Sequence, residues 1–414
     1  MGFVGKLGVA KKHLFFHNKT MAFQKPSFSS VFCLLLRVLF CTFFTLAARD
    51  AFCFTHQALR NPNTQAILYD MTTKTVLFEK NADKKMAPSS MTKVLLVYMV
   101  FQKLKNAEAH LNDMFKVSAR ARYMRGSRMF LELASHVTLN RLLQGIIVHS
   151  GNDATVTLAE GLFGSEENAA KKGNRLAQKL GLCQSHFLNM TGWPDPGHLS
   201  TARDILHLGV RTIEDFPDLY KQFYGQKVLT HNKIKQYNRN PLVHTALGDG
   251  LKTGTTERGG YGLLGSAKRN GRRLVFVING LKSNAERARA SVALLNWGFG
   301  RFERTTLFKK GEVIGYAPVE EGKVEKAPLI AQEDVAFSYP SGMKKYIKTK
   351  VKASLLKAPL KAGELCGVLQ IKMPDMPIKT VSLCAQKDVP RLSWLGRAWM
   401  HIYRTVQGFF AVEA

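Results

Sequence analysis

Cysteine is scarce in this chain of 414 residues, which contains six. That is too few for a scaffold held by disulfides. Cys366 and Cys384 lie in a strand-rich stretch, where a bridge and a pair of free, buried thiols remain alternative readings. CxxC and HExxH are both absent, so zinc chemistry has no support and neither a metal nor an organic cofactor is expected. Acidic residues are also few: 30 against 60 lysines and arginines, a formal charge of +30. That balance suits anionic partners, but the basic residues are scattered along the chain. No zinc-finger spacing or RNA-binding signature accompanies them, which argues against nucleic acid. Internal repeats and low-complexity tracts are absent too. A hydrophobic fraction of 45% and a charged fraction of 22% are ordinary for a globular protein, and the length allows two or three domains.

An apolar run of targeting character lies near the amino terminus. "VLFCTFFTLAA" (Val38 to Ala48) has the length of a signal-peptide core, and Met21 offers a second possible start. Ala47, Ala48 and Ala51 supply small residues for cleavage, so residues 1–54 read as an export leader. Arg37 divides the run, which leaves it short for a bilayer span. At the other end, "RLSWLGRAWMHIYRTVQGFF" places Leu392, Leu395, Trp399, Ile402, Tyr403, Val406 and Phe410 on one helical arc. Arg397, His401 and Arg404 fall opposite. Residues 390–414 therefore read as an amphipathic helix lying in a membrane interface.

Between these ends, "TQAILYD" and "KTVLFEK" form an expected hairpin, followed by a largely helical region from about Lys93 to Thr212. "LNRLLQGIIVHSGNDATVTLAEGLF" carries helical spacing on both sides of a Ser-Gly-Asn break. "GYGLLGSAK" and "RRLVFVING" read as strands joined at Asn270-Gly271, and "RARASVALLNWGF" as a closing helix. Strands at both ends of a helical region predict an α+β unit over 55–300, with one sheet assembled from distant parts of the chain. Residues 301–389 alternate lysines, valines and turn residues, as a small all-β domain does.

Ser-x-x-Lys occurs three times, at Ser90/Lys93, Ser341/Lys344 and Ser354/Lys357, and is cheap in a lysine-rich chain. Only the first copy opens a strongly apolar helix, where burial would lower the lysine pKa and make the amine a base for the serine one turn away. Ser89 is off register and helps to shape the helix start. Only the first copy is followed by Ser150-Gly151-Asn152 and then by Lys252-Thr253-Gly254-Thr255 ahead of a strand. A serine nucleophile needs a base, a proton carrier, an oxyanion site and a substrate handle, and this set can supply them. His149 and His198 sit beside motifs, but lysine already fills the base role, so both read as structural.

Three motifs in this order resemble the penicillin-recognising serine enzymes. Over roughly Gln65 to Trp394 the chain resembles low-molecular-mass penicillin-binding proteins of the D-alanyl-D-alanine carboxypeptidase family, through "GSRMFLE", "SGNDA", "STARD", "NRNPLV", "DGLKTGTT" and "LLNWGF". "APLKAGELCGVLQIK" resembles that family's C-terminal β-domain. The resemblance implies the penicillin-binding-protein/β-lactamase-like fold and an exported enzyme on the outer face of the cytoplasmic membrane. Its partners would be peptidoglycan stem peptides, with β-lactams as covalent inhibitors. Ser90 would be acylated, Lys93 would act as base, and Ser150 would pass a proton to the leaving D-alanine. Asn152 would bind the substrate amide, and Lys252 would hold the network electrostatically. Thr253 and Thr255, with Gly254 between them, would meet the substrate carboxylate, and the N–H groups of Ser90 and Thr255 would form the oxyanion hole. Arg287 matches a family arginine serving the carboxylate, with Arg289 as its competitor. "LELASHVTL" departs from the pattern by replacing a glycine and an acidic residue. No Glu-x-x-x-Asn follows the second motif, so rapid β-lactam hydrolysis is not implied. An endopeptidase of the same superfamily and a relict wall-binding protein are the alternatives.

Overall fold

A computed structural model describes residues 57–400 and 402; the expected leader and most of the terminal amphipathic helix lie outside them. β1 (Gln65–Asp70) and β2 (Thr75–Lys80) pair antiparallel as the alternating pattern predicts. A 3₁₀ turn at Ser89–Thr92 leads into α1 (Lys93–Lys105), whose first nine residues are all buried. No side chain caps this start, so neither serine serves as an N-cap. α2 (Leu139–Val148) and α3 (Asn152–Phe163) flank the break at His149–Gly151, where Ser150 holds a φ of +66°. α4 (Glu166–Lys179) and α5 (Ala202–Asp215) complete the helical layer.

The chain then returns to the sheet. β3 (Gly250–Thr256), β4 (Gly260–Arg269) and β5 (Arg272–Leu281) join the first hairpin in the order β2-β1-β5-β4-β3, antiparallel throughout. Asn270 and Gly271 turn the last hairpin with positive φ angles, as their sequence requires. α6 (Asn284–Gly300) packs on the opposite face, where Leu294 and Leu295 share a core with Leu68 and Phe276. The larger core lies between the sheet and the other helices, around Ile67, Leu95, Phe101 and Leu142. A helix that is apolar on all sides sits in the middle of such a layer. α1 does so, and its position carries Lys93 into the interior.

After α6 the elements are β6 (Phe302–Phe308), β7 (Val313–Glu320), β8 (Lys326–Ile330), β9 (Val335–Pro340), β10 (Lys348–Lys352), β11 (Leu356–Lys357), β12 (Leu365–Lys372) and β13 (Lys379–Ala385). Six form a sheet in the order β10-β12-β13-β8-β7-β11, while β6 pairs with β9. Their own core gathers Phe337, Leu329, Ile371 and Leu383. Among the described residues Cys366 and Cys384 are buried free thiols and not a bridged pair. The remaining Ser-x-x-Lys copies lie here with Ser341, Lys344, Ser354 and Lys357 all exposed.

The β-rich part is held to the first sheet by a buried polar joint. Asp70 is fully buried and accepts from Arg272 Nε at 2.7 Å and Ser338 Oγ at 2.6 Å. Lys379 Nζ donates to the carbonyls of Thr73 and Ala336. Beyond it, residues 394–400 and 402 are helical, and Trp394, Leu395, Trp399 and Ile402 are exposed. Among the described residues no helix is long and apolar enough to cross a membrane.

Candidate active site

The first motif is shaped from behind. Ser89 has a φ of +49° and turns its hydroxyl to Thr256 Oγ1 at 2.8 Å, away from the position Ser90 occupies. Gly192 closes on the same turn so tightly that a β-carbon there would stand 2.0 Å from the Ser89 carbonyl oxygen. From the other side Gly254 brings β3 close, its would-be β-carbon 3.0 Å from the Pro88 carbonyl. Ser90 is left facing a cavity of about 560 Å³, also lined by Ser150, Thr253, Thr255, Arg239 and Arg287.

Lys93 is completely buried beneath it. Its Nζ donates to Ser90 Oγ at 3.0 Å, to Asn152 Oδ1 at 2.8 Å and to the Thr191 carbonyl. Burial pulls its pKa down to about 7; the Glu166 charge raises it, Arg239 lowers it and Asp153 raises it. An amine so placed is available in its neutral form near neutrality, and it touches the hydroxyl it would deprotonate.

Ser150 Oγ is buried in the same wall with no hydrogen-bond partner among the described residues, in a strained backbone conformation. An unpaired buried hydroxyl at a cleft is available for a reacting group. Asn152 bonds at both ends, to Lys93 through its oxygen and to the Arg125 carbonyl through its nitrogen at 2.7 Å. Lys252, also buried, donates to the Thr253 carbonyl at 3.1 Å. Burial drives its pKa well down, helped by Lys93, Arg239 and Arg287.

The structure separates the two candidate arginines. Arg287 is buried, lines the cavity and donates to the carbonyls of Gly262 and Arg239, both at 3.4 Å, with its Nε unpaired among the described residues. Arg289 is exposed. Arg239 also lines the cavity and donates to His149 Nε2 at 3.3 Å. The described lining includes no carboxylate, so this wall favours an anion. His198 takes no part: its Nδ1 accepts from the Leu188 N–H and its Nε2 therefore donates to Thr92 Oγ1. Burial pushes its pKa down to about 4, so the ring is neutral.

Sequence reasoning missed Arg239, Thr191, Gly192 and Asp153. Arg239 and Asp153 lie within stretches quoted for their resemblance, but neither had a pattern that assigned it a task. Asp153 accepts from the N–H groups of Met129 and Leu131, fixing the loop that brings Ser127 to the cavity. In the divergent "LELASHVTL", Ala134 adopts a φ of +60°, a left-handed backbone that costs a residue with a β-carbon about 1 kcal/mol.

The chain also resembles known proteins along most of its length. The family model described as D-alanyl-D-alanine carboxypeptidase matches residues 54–283, and the penicillin-binding protein 5 C-terminal domain matches residues 302–391. D-alanyl-D-alanine carboxypeptidase DacC of Escherichia coli is 36% identical over 375 residues, 86% of this chain and 94% of its own. The crystal structure of penicillin-binding protein 5 from Haemophilus influenzae aligns with a TM-score of 0.69 and 34% identity, covering 79% of this chain and 97% of that one. Penicillin-binding protein D2 from Listeria monocytogenes, solved with ampicillin bound, aligns with a TM-score of 0.50 and 26% identity over 57% of this chain and 96% of that one.

Proposed function

Because the chain belongs to the D-alanyl-D-alanine carboxypeptidase family, we propose that it releases the terminal D-alanine of peptidoglycan stem pentapeptides through an ester on Ser90. The observation that carries this reading is the buried Lys93 amine in contact with Ser90 Oγ at the floor of a cationic cleft. Neutral Lys93 takes the Ser90 proton as Oγ attacks the carbonyl between the two D-alanines. The N–H groups of Ser90 and Thr255 receive the developing oxyanion. The C–N bond then breaks as Ser150 gives its hydroxyl proton to the departing amine and takes in exchange the proton held by Lys93, which leaves Lys93 neutral again while Lys252 keeps the network polarised. Neutral Lys93 then takes a proton from the water that attacks the ester, and as the bond to Ser90 Oγ breaks it hands that proton to the departing oxygen.

Thr253, Thr255 and Arg287 hold the substrate carboxylate in this scheme, with Arg239 in the same wall. Gly254 lets the strand lie against the nucleophile's turn, and Asn152 meets the substrate amide. A β-lactam enters as a mimic of the same dipeptide and acylates the same oxygen.

The domain limits that accompany this reading are 55–300 for the catalytic unit and 301–389 for the β-rich unit. The exposed Trp394, Leu395, Trp399 and Ile402 support a membrane-surface helix over residues 390–414, which would hold an exported enzyme against the lipid. Deleting 391–414 should release the protein from membranes with its soluble activity intact. The test of function is D-alanine release from a pentapeptide by the parent and its loss in Ser90→Ala. Equal release by both proteins would refute the assignment.

A further inference from the structure

Glu166 is a buried carboxylate that the chemistry above does not use. It opens α4, but the hydroxyl of Ser165 caps that helix by accepting from the Asn168 N–H. The carboxylate turns inward instead. One oxygen accepts from the N–H groups of Met190 at 3.0 Å and Thr191 at 3.2 Å. The other accepts from Arg120 at 2.9 Å. The next carbonyl along, that of Thr191, accepts from Lys93 Nζ, and Gly192 then closes against the Ser89 carbonyl. One carboxylate thus fixes both an acceptor for the amine and the turn that backs the nucleophile.

We infer that Glu166 is a positioning residue for the Ser90–Lys93 pair, pinning the Met190–Gly192 turn and supplying the buried negative charge that faces the amine. The other charged groups facing Lys93 are Asp153 from α3, Arg239 from the loop before Pro241 and Lys252 from β3, with His198 neutral beside Thr92. Asp153 is occupied by the Met129, Leu131 and Ala154 N–H groups. Against two cations and complete burial, Glu166 exerts the largest upward pull on the amine.

This inference rests on the reading of Lys93 as the base. Its test is the pH dependence of acylation by a fluorescent penicillin, measured on the full chain with a circular-dichroism check of folding. Glu166→Gln keeps an oxygen for both N–H groups but removes the charge, so the acid limb should move down by on the order of one pH unit. Arg120→Gln, at a half-exposed site, leaves the Glu166 charge less compensated and should move the limb up. If Glu166→Gln fails to fold, the direction of the Arg120→Gln shift decides alone. A limb in the parent that the folded variants leave in place overturns the role of Glu166 and spares the base. A parent without an acid limb overturns the base itself.

Discussion

Lys93 and Ser90 are joined by a 3.0 Å hydrogen bond across one helical turn, and the lysine is completely buried. That burial separates this Ser-x-x-Lys from its two exposed copies. Burial pulls the amine's pKa down to about 7, and three acceptors fix where it points.

The same burial has a stability signature. Lys93 in the fold has a pKa lowered to about 7, well below its unfolded value, and Lys252 is shifted in the same direction. Between those values the unfolded chain binds more protons, so stability rises with pH from about 7 towards 10. Lys93→Met should therefore be inactive and should show a weaker pH dependence of unfolding across that window. Denaturant unfolding at pH 7 and pH 9.5 checks both proteins. Identical pH slopes would contradict the shift.

Ser150 should matter to rate and not to folding. Its hydroxyl has no partner among the described residues, so Ser150→Ala removes an unsatisfied buried group at little cost in stability. Loss of a proton carrier should lower kcat by roughly 10² to 10⁴. Steady-state kinetics beside a thermal melt would separate the two effects.

Arg287 and Arg239 are the cations of the cleft wall, whereas Arg289 is exposed. Arg287→Gln should raise KM for a pentapeptide by about tenfold or more, through loss of a charge-assisted bond to the carboxylate. Arg289→Gln should leave kinetics unchanged. The reverse ranking would move the carboxylate site.

The joint beneath the β-rich domain should be costly to break. Removing Asp70 leaves Arg272 buried without its carboxylate and deprives Ser338 of its acceptor. Asp70→Ala should destabilise the protein by about 3–5 kcal/mol, measured by denaturant unfolding. It should also expose the chain around Arg301 to proteases.

Much of this architecture was legible because it rests on local patterns. Alternation gave the first hairpin, Asn270-Gly271 gave the last, and the wholly apolar run after Lys93 marked a central helix. The three motifs were legible because each needs particular residue types at fixed spacing. Glu166 and Thr191 were not, since a backbone carbonyl has no sequence signature and a helix-opening glutamate reads as an ordinary surface residue. Arg239 sits on a loop whose direction is set by Asn240 bonding the Gly250 carbonyl at 2.7 Å, a contact no periodicity reveals. The fate of Cys366 and Cys384 also depended on three-dimensional placement.

The central claim is that Ser90 is the acylated nucleophile. Peptide mass spectrometry of the penicillin-treated protein tests it most directly. One penicilloyl adduct is expected on the peptide carrying Ser90, with none in Ser90→Ala. An adduct on Ser89 or Ser150, or labelling that survives Ser90→Ala, would contradict it.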